Sequence, residues 1–430
     1  MLERNIVVFY KKLRSSISKV VSKDIFIRLF FNLLALFFAI KLYKIFDLHD
    51  YLDITVFTAA IAILLIDFFI VTIINFASMK REDSLKTTDD YRALIKKYPL
   101  DRKYGYFYEF NNTKLNKVPT KIRMKFYNDD DNFDFYEKQV FPVWQLADCR
   151  GKEVVLRDSE EVFQMNESLK ENLNILNEVH KNSNIYNNKN IRLDNVTEDG
   201  NRVILKTSRT TYFDFCASNR MIDYVHKNKR TIRNDLLYGP LFPSLSQSPL
   251  SNLLGFNCSV VSSDGYLIFI KRGTKVSMEK NKLGLGVQAS IKYMYTHAEE
   301  GKKIIDMEDI YRSVEMEFLD ELGVTLESPE KINNKLVDVY YDYVEGKPQL
   351  YFEVFLDEKD KNSSLKDISA YVSRKDKSMT KDGNSVIAIP LDRAENIYVS
   401  PFALAYENQY YSMVPSASYC AARFLENIRW

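Results

Sequence analysis

Apolar residues gather in two long runs near the start of the chain, at 25–46 and 54–77. The second run is long enough to cross a hydrocarbon core, because a spanning helix needs about 20 apolar residues. The first run contains Arg28 and Lys41, which can reach the interface from the ends of a spanning helix. The pattern predicts a two-helix transmembrane hairpin over residues 25–78, with an interfacial amphipathic helix as the alternative for the first run.

Charged residues around the two runs predict how the hairpin is oriented. Basic residues precede the first run and follow the second, whereas the connection DLHDYLD is acidic. By the positive-inside rule both termini are expected in the cytoplasm, with residues 1–24 as a basic cytosolic segment. Asp67 and Asn32 fall at similar predicted depths in the two runs. They predict either an intramembrane functional site or a polar contact that holds helices together.

Residues 79–250 are polar and give mixed signals. Apolar spacing predicts a helix over roughly 160–180, and RVILKTSRTTYFDF at 202–215 has the β-branched and aromatic residues of a strand that enters a turn. The fold of this middle segment stays open. The proline, serine and glycine residues at 239–252 predict a boundary, with a further unit over 251–430.

The pattern after the boundary is clearer. NCSVVSS at 257–263 and GYLIFIKRG at 265–273 predict a β-hairpin, and LGLGVQASIKYMY predicts another strand. Apolar residues then recur at steps of four over 307–322, which predicts an amphipathic helix. Gly323 is expected to end that helix as its C′ residue.

Three carboxylates lie on one face of the predicted helix 307–322. Glu317, Asp320 and Glu321 have the spacing i, i+3 and i+4. Clustered carboxylates repel one another unless solvent or a cation relieves the repulsion, and hard oxygen ligands suit Mg²⁺ or Mn²⁺. The alternative is an ordinary acidic stripe that faces solvent.

Composition narrows the possible functions. Hydrophobic residues make up 46% of the 430 residues and aromatic residues 13%, which favours a packed fold over disorder. The formal net charge of +2 provides no general attraction to nucleic acid polymers. The four cysteines and four histidines are scattered, which argues against a zinc ribbon, a disulfide framework or a histidine cluster.

The element order from residue 252 onwards resembles the Nudix hydrolase family. MEFLDELGV follows the second half of the Nudix box, and Glu308 matches the earlier glutamate of the box. Met316 replaces the arginine of the box, and Lys302 replaces its leading glycine. The resemblance implies an α/β/α sandwich, divalent metal bound through Glu308, Glu317, Asp320 and Glu321, and cleavage of a diphosphate bond in a nucleoside diphosphate derivative.

A transmembrane hairpin joined to a Nudix-like domain resembles the membrane effectors of bacterial anti-phage systems that signal with cyclic oligonucleotides (CBASS). The resemblance implies an α+β protein of the bacterial inner membrane, not necessarily an enzyme. It is expected to bind a cyclic oligonucleotide, assemble into a homo-oligomer and disrupt the bilayer in abortive infection. Candidate ligand contacts are Lys271 and Arg272 for phosphates and Gln288 and Ser290 for base edges. The alternatives are a membrane-tethered Nudix pyrophosphatase that uses Mg²⁺ and a membrane scaffold that binds a protein partner.

Overall fold

The computed structural model describes residues 108–111, 138–179 and 186–428, with short gaps in the last range, and a few isolated positions between 73 and 96. The chain divides into two compact units, Met1–Leu85 and Lys86–Trp430. All the elements below belong to the second unit.

Strands dominate the described residues. The strands are β1 (Tyr108–Asn111), β2 (Lys138–Phe141), β3 (Val143–Asp148), β4 (Glu153–Val162), β5 (Lys189–Asp199), β6 (Arg202–Thr211), β7 (Gly255–Val261), β8 (Tyr266–Arg272), β9 (Leu283–Leu285), β10 (Val287–Ser290), β11 (Leu336–Asp342), β12 (Lys347–Phe355), β13 (Gly383–Pro390), β14 (Ile397–Ser400), β15 (Ala403–Tyr406) and β16 (Gln409–Ser412). The α-helices are α1 (Glu167–Val179), α2 (Tyr212–Ala217), α3 (Ile232–Leu236), α4 (Met307–Leu322), α5 (Leu365–Lys375) and α6 (Pro415–Asn427).

The main sheet has the strand order β13-β8-β7-β12-β11-β3, with β10 paired to β7 and β9 paired to β8. Strands β7 and β12 are parallel, and the other pairs are antiparallel. Strand β3 comes from the predicted middle segment and pairs with β11. That segment therefore supplies an edge strand to the sheet of the following residues.

Helices pack on both faces of the main sheet. Tyr351 and Phe352 are neighbours on β12 and point to opposite faces, because side chains alternate along a strand. Phe352 contacts Tyr311 of α4, with ring centroids 6.5 Å apart. On the other face Tyr351 joins a buried cluster that includes Tyr340 and Tyr419 of α6. The ring centroids of Tyr340 and Tyr419 are 4.7 Å apart. The layers are thus helix, sheet and helix.

A smaller sheet with the order β4-β6-β5 holds the start of α4 in place. Arg209 on β6 forms a buried ion pair with Asp158 on β4, with a distance of 2.6 Å between Nη2 and Oδ2. The same carboxylate accepts a hydrogen bond of 2.9 Å from the backbone N–H of Ile305, immediately before α4. This contact fixes where the helix begins relative to the smaller sheet.

Local predictions in the C-terminal region are confirmed. Strands β7 and β8 form the predicted antiparallel hairpin, with Gly265 in its turn at φ +82°. Helix α4 spans the predicted residues 307–322, and its capping box joins Asp306 and Asp309. Gly323 follows it in the left-handed conformation at φ +72°, as a C′ glycine does.

Predictions for the middle segment are partly wrong. Residues 153–162 form strand β4, and the helix begins only at Glu167. The strand predicted over 202–215 ends at Thr211, whose side chain caps helix α2. Thr211 is a good N-cap because its hydroxyl accepts a hydrogen bond from the backbone N–H of Asp214.

The membrane prediction requires correction. In the part of the chain that the structure describes, no helix has both the length and the apolar character needed to cross a bilayer. The longest helix there, α4, has 16 residues, is about 24 Å long and carries charged residues on one side, whereas a hydrocarbon core is about 30 Å thick. The fold class is therefore mixed α/β, and the transmembrane hairpin and the inner-membrane location are not supported. Nearly all of 25–78, including Asn32 and Asp67, lies outside the described residues.

Candidate functional site

The three predicted carboxylates come together on α4. Oxygen atoms of Glu317, Asp320 and Glu321 all lie within 4.8 Å of one another. The helix brings them together because residues three and four apart share a face. Glu317 is 2% exposed, whereas Asp320 and Glu321 are half-buried. The cluster therefore extends from the core to the surface.

Lys292 enters this cluster from outside the helix. It follows β10 by two residues, and its ammonium forms an ion pair with the carboxylate of Glu317. The same ammonium lies 5.0 Å from the ring centroid of Tyr295, and the Lys292 side chain is 27% exposed. This residue could not be predicted from the sequence, because a single lysine after a strand has no distinguishing pattern. The cluster thus contains a cation that belongs to the chain itself.

The electrostatics of the pair follow from its burial. Burial raises the pKa of Glu317, the attraction of Lys292 opposes that rise, and the carboxylates of Glu321 and Asp320 add to it. For Lys292, burial acts to lower the pKa, but the attraction and hydrogen bond of Glu317 outweigh burial and the pKa is raised. The ammonium is thus held in its charged form beside the carboxylate.

As arranged, these residues do not fit a divalent metal. Mg²⁺ and Mn²⁺ require oxygen donors that are open to the ion, and the carboxylates of Asp320 and Glu321 have that chemistry. Glu317 already binds an ammonium, and a divalent cation next to Lys292 would be repelled by it. A metal would fit only if Lys292 moved away from Glu317.

Two other positions of the predicted box lie apart from the cluster. Glu308 is in the first turn of α4, nine residues before Glu317, which is about 13 Å along the helix axis. The structure does not bring its carboxylate to the other three. Met316, which replaces the arginine of the box, is 38% exposed and has no group that could donate a hydrogen bond to a carboxylate.

The predicted nucleotide contacts separate into two groups. Gln288 and Ser290 project from the same face of β10 and pair with Asn257 and Gly255 on β7. The side-chain amide of Gln288 donates a hydrogen bond to Asn257, whose own amide donates to Tyr340 at 2.7 Å. Gln288 therefore belongs to a chain of hydrogen bonds that runs into the core.

Lys271 and Arg272 end β8, which reaches β10 through the neighbouring strands β7 and β9. The side chain of Lys271 is exposed and that of Arg272 is half-buried. The Arg272 Nε is buried and forms no hydrogen bond with any described residue. The structure therefore does not place these two residues in direct contact with Gln288 or Ser290.

Lys347, the first residue of β12, is a further cation that sequence analysis missed. Its ammonium lies 3.4 Å from the hydroxyl of Ser290. It comes from a strand that is distant in sequence, so only the pairing of β7 with both β10 and β12 brings the two residues together. Ser290, a predicted ligand contact, therefore lies beside a buried positive charge.

A cleft of about 1090 Å³ opens beside the N-terminal half of α4. Its lining includes Met307 and Tyr311 of α4, Glu353 and Phe355 of β12, and Lys335. Burial raises the pKa of the Glu353 carboxyl. A cleft of this volume has room for a drug-sized or dinucleotide-sized ligand, although none of the predicted site residues lines it.

Comparison of the sequence with known families and with curated proteins finds no matching family model and no matching protein.

Proposed function

We propose that this chain is a nucleotide sensor whose C-terminal region, with its Nudix-like order of elements, binds a cyclic oligonucleotide without cleaving it. The ion pair of Lys292 with Glu317 supports binding without cleavage. A Nudix-type reaction uses these carboxylates to hold a divalent metal, and here a lysine neutralises the most deeply buried of them. The site therefore favours retention of a ligand over its hydrolysis.

The choice of ligand rests on the resemblance to the cyclic-oligonucleotide systems and on the chemistry of β10. Gln288 and Ser290 are half-buried and offer an amide and a hydroxyl, which can bind base edges and phosphate oxygens. Lys347 beside Ser290 adds a positive charge. Binding of such a ligand is expected to promote self-association, since a sensor must convert occupancy into a change of state.

A second candidate is a Nudix pyrophosphatase that acts on a nucleoside diphosphate derivative with Mg²⁺ or Mn²⁺. The proximity of three carboxylate side chains, within 4.8 Å of one another, favours it. In this case Asp320 and Glu321 would hold the metal, and Glu317 would join them after release of Lys292. The metal would supply charge neutralisation at the diphosphate.

The two candidates are distinguished by binding and turnover measured on the same samples. The purified full chain is titrated calorimetrically with a panel of cyclic di- and trinucleotides, with Mg²⁺ and with EDTA. Each mixture is then separated chromatographically to detect cleavage, and sized by light scattering to detect assembly. We expect one cyclic ligand to bind in both buffers, to be recovered intact and to increase the size of the particle.

The matched variant for this experiment is Glu321→Gln, which removes one charge from the cluster and retains the shape of the side chain. A sensor of the proposed kind binds its ligand equally well with this substitution. Cleavage of a linear dinucleotide by the unsubstituted chain, lost in Glu321→Gln and in EDTA, would instead establish the pyrophosphatase.

A further inference from the structure

Lys347 has a buried ammonium without a carboxylate partner among the described residues. The residue is 9% exposed. Its Nζ lies 3.4 Å from the hydroxyl of Ser290 and 5.3 Å from the ring centroid of Phe215. Asp342 is directly opposite on β11, but the two side chains form no ion pair. A hydroxyl at that distance and one aromatic face compensate little of the cost of removing an ammonium from water.

Most other buried cations among the described residues form an ion pair with a carboxylate. Four of the five arginines that are at most 9% exposed have an ion pair with a carboxylate, and the fifth, Arg220, lies 4.0 Å from the Sγ atom of Cys216. These pairs are Arg192 with Asp194, Arg209 with Asp158, Arg233 with Asp223, and Arg423 with Asp338. Most buried positive charge in the described residues is therefore ion-paired. Lys347 has no such pair within that part of the chain, so its charge is available to a ligand.

The ends of the Gln349 and Lys347 side chains both lie over Gly255. A Cβ atom added to Gly255 would lie 2.3 Å from Oε1 of Gln349 and 2.6 Å from both Cε and Nζ of Lys347. Burial lowers the pKa of Lys347, the carboxylates of Glu345 and Asp342 oppose that change, and the charge of Arg272 adds to it. An anion beside the ammonium would reinforce the effect of the two carboxylates.

Strand β10 borders this site through Ser290. Ser290 and Gln288 are half-buried and lie on the same face of the sheet as Lys347. Ser290 pairs with Gly255, and Gly255 pairs with Gln349. Gln349 is two residues after Lys347 on β12, so the two side chains share a face. That face is opposite to the one that packs α4, so this region is separate from the carboxylate cluster. Ammonium and hydroxyl donors side by side are the groups that bind a phosphate oxygen.

We infer that Lys347 and Ser290 form a binding site for a phosphate group, which is either part of a nucleotide or inorganic phosphate. The nucleotide form of this inference rests on the proposed function, whereas the phosphate site itself does not. A phosphate bound here would contribute affinity and would fix the position of the ligand over Gly255.

The test measures thermal unfolding of the full chain in phosphate and in chloride at equal ionic strength. A bound ligand raises the melting temperature by mass action. We expect phosphate to raise it for the unsubstituted chain and to have no such effect on Lys347→Met. In chloride, Lys347→Met should melt higher than the unsubstituted chain, because the substitution removes an unpaired buried charge and retains most of the side-chain volume. Lys206→Met, at an exposed position of β6, is the control and should retain the phosphate effect.

Two milder variants provide the same test if Lys347→Met does not fold. Ser290→Ala removes only a hydroxyl, and Gly255→Ala displaces the flexible ends of Gln349 and Lys347. Each should weaken phosphate binding, about tenfold in the case of Gly255→Ala. A phosphate effect that persists in Lys347→Met, or in both milder variants, would overturn the inference.

Binding of cyclic nucleotides to Lys347→Met distinguishes this inference from the proposed function. If the cyclic ligand of the sensor binds Lys347→Met as tightly as it binds the unsubstituted chain, the sensor stands and this phosphate site is wrong. If phosphate requires Lys347 but no cyclic nucleotide binds, the site stands for inorganic phosphate and the proposed function fails.

Discussion

The ammonium of Lys292 and the carboxylate of Glu317 form an ion pair at the buried end of a cluster of three carboxylates. Glu317 is 2% exposed and Lys292 27% exposed by side chain, so solvent screens the pair only in part. The lysine therefore places a positive charge beside carboxylates that would otherwise repel one another.

Replacement of Lys292 by methionine is expected to create a divalent cation site. The substitution removes the ammonium that pairs with Glu317, and Mn²⁺ would relieve the repulsion among the three neighbouring carboxylates. We expect Mn²⁺ to bind Lys292→Met at least about tenfold more tightly than the unsubstituted chain, measured by calorimetry and by the Mn²⁺ electron spin resonance signal. Lys331→Met, which removes the partner of Asp357 and Asp360, is the matched control and should show no gain. Equal Mn²⁺ affinity in all three proteins would show that Lys292 does not keep a divalent cation out of the cluster.

The contact between Arg423 and Asp338 is expected to contribute strongly to stability. Arg423 Nε donates to Asp338 Oδ2 at 2.6 Å, and the carboxylate also accepts hydrogen bonds from Tyr419 at 2.9 Å and Gln145 at 2.6 Å. Removal of one partner from a buried pair leaves an uncompensated charge, which costs about 3–5 kcal/mol. Arg423→Met should therefore lower the free energy of unfolding by about that amount, measured by urea denaturation.

The control for Arg423→Met is Arg202→Met. Arg202 pairs with Glu153, and both side chains are 60% exposed. Exposed pairs contribute roughly 0–1 kcal/mol, so this variant should unfold close to the unsubstituted chain. Similar losses in the two variants would mean that burial does not govern the contribution of these pairs.

The sequence predicts the local elements of the C-terminal region well, because their signals are local. The four-residue apolar steps of α4, its capping residues and Gly323 lie within one stretch of chain. The hairpin β7–β8 has its turn glycine between two β-branched runs. The carboxylate cluster is predictable for the same reason, since helical spacing alone brings Glu317, Asp320 and Glu321 together.

Contacts between distant segments are not predictable in this way. Lys292 reaches Glu317 only because β10 lies next to α4, and Lys347 reaches Ser290 only through the shared neighbour β7. Nothing in the pattern of residues 143–148 indicates that β3 pairs with β11, some 190 residues later. Tertiary pairing therefore determines which cations enter the candidate sites.

Gly323 is expected to tolerate no side chain. Its φ is +72°, and an added Cβ would lie 2.4 Å from the ring of Tyr371. The left-handed conformation costs a residue other than glycine about 1 kcal/mol, and the ring contact adds to that cost. Gly323→Ala should therefore lower the melting temperature, whereas Gly200→Ala, with φ +59° and no atom near its added Cβ, should lower it less. Calorimetric melting of both variants tests this, and equal effects would show that Tyr371 gives way without cost.

Asp342 is expected to make stability depend on pH. It is buried at the end of β11, and burial, reinforced by Glu345, raises its pKa to about 8, while backbone hydrogen bonds and Arg233 oppose the rise. An unfolded aspartate has a pKa of about 3.9. Between these values the folded chain retains a proton that the unfolded chain releases, so the contribution of Asp342 is fully present below about pH 4 and is lost as the pH rises through about 8.

Asp342→Asn should remove this dependence and leave the local structure in place. Asp342 Oδ1 accepts hydrogen bonds from the backbone N–H groups of Val344 at 2.7 Å and Glu345 at 3.3 Å, and an amide oxygen accepts the same bonds. Relative to the unsubstituted chain, the variant should gain stability steadily from pH 4 to pH 8 in urea denaturation. Asp199→Asn, at an exposed position of β5, serves as the control and should follow the unsubstituted chain. If the curves of the two variants are parallel over this range, Asp342 is charged in the folded protein, and the attraction of Arg233 outweighs the effect of burial.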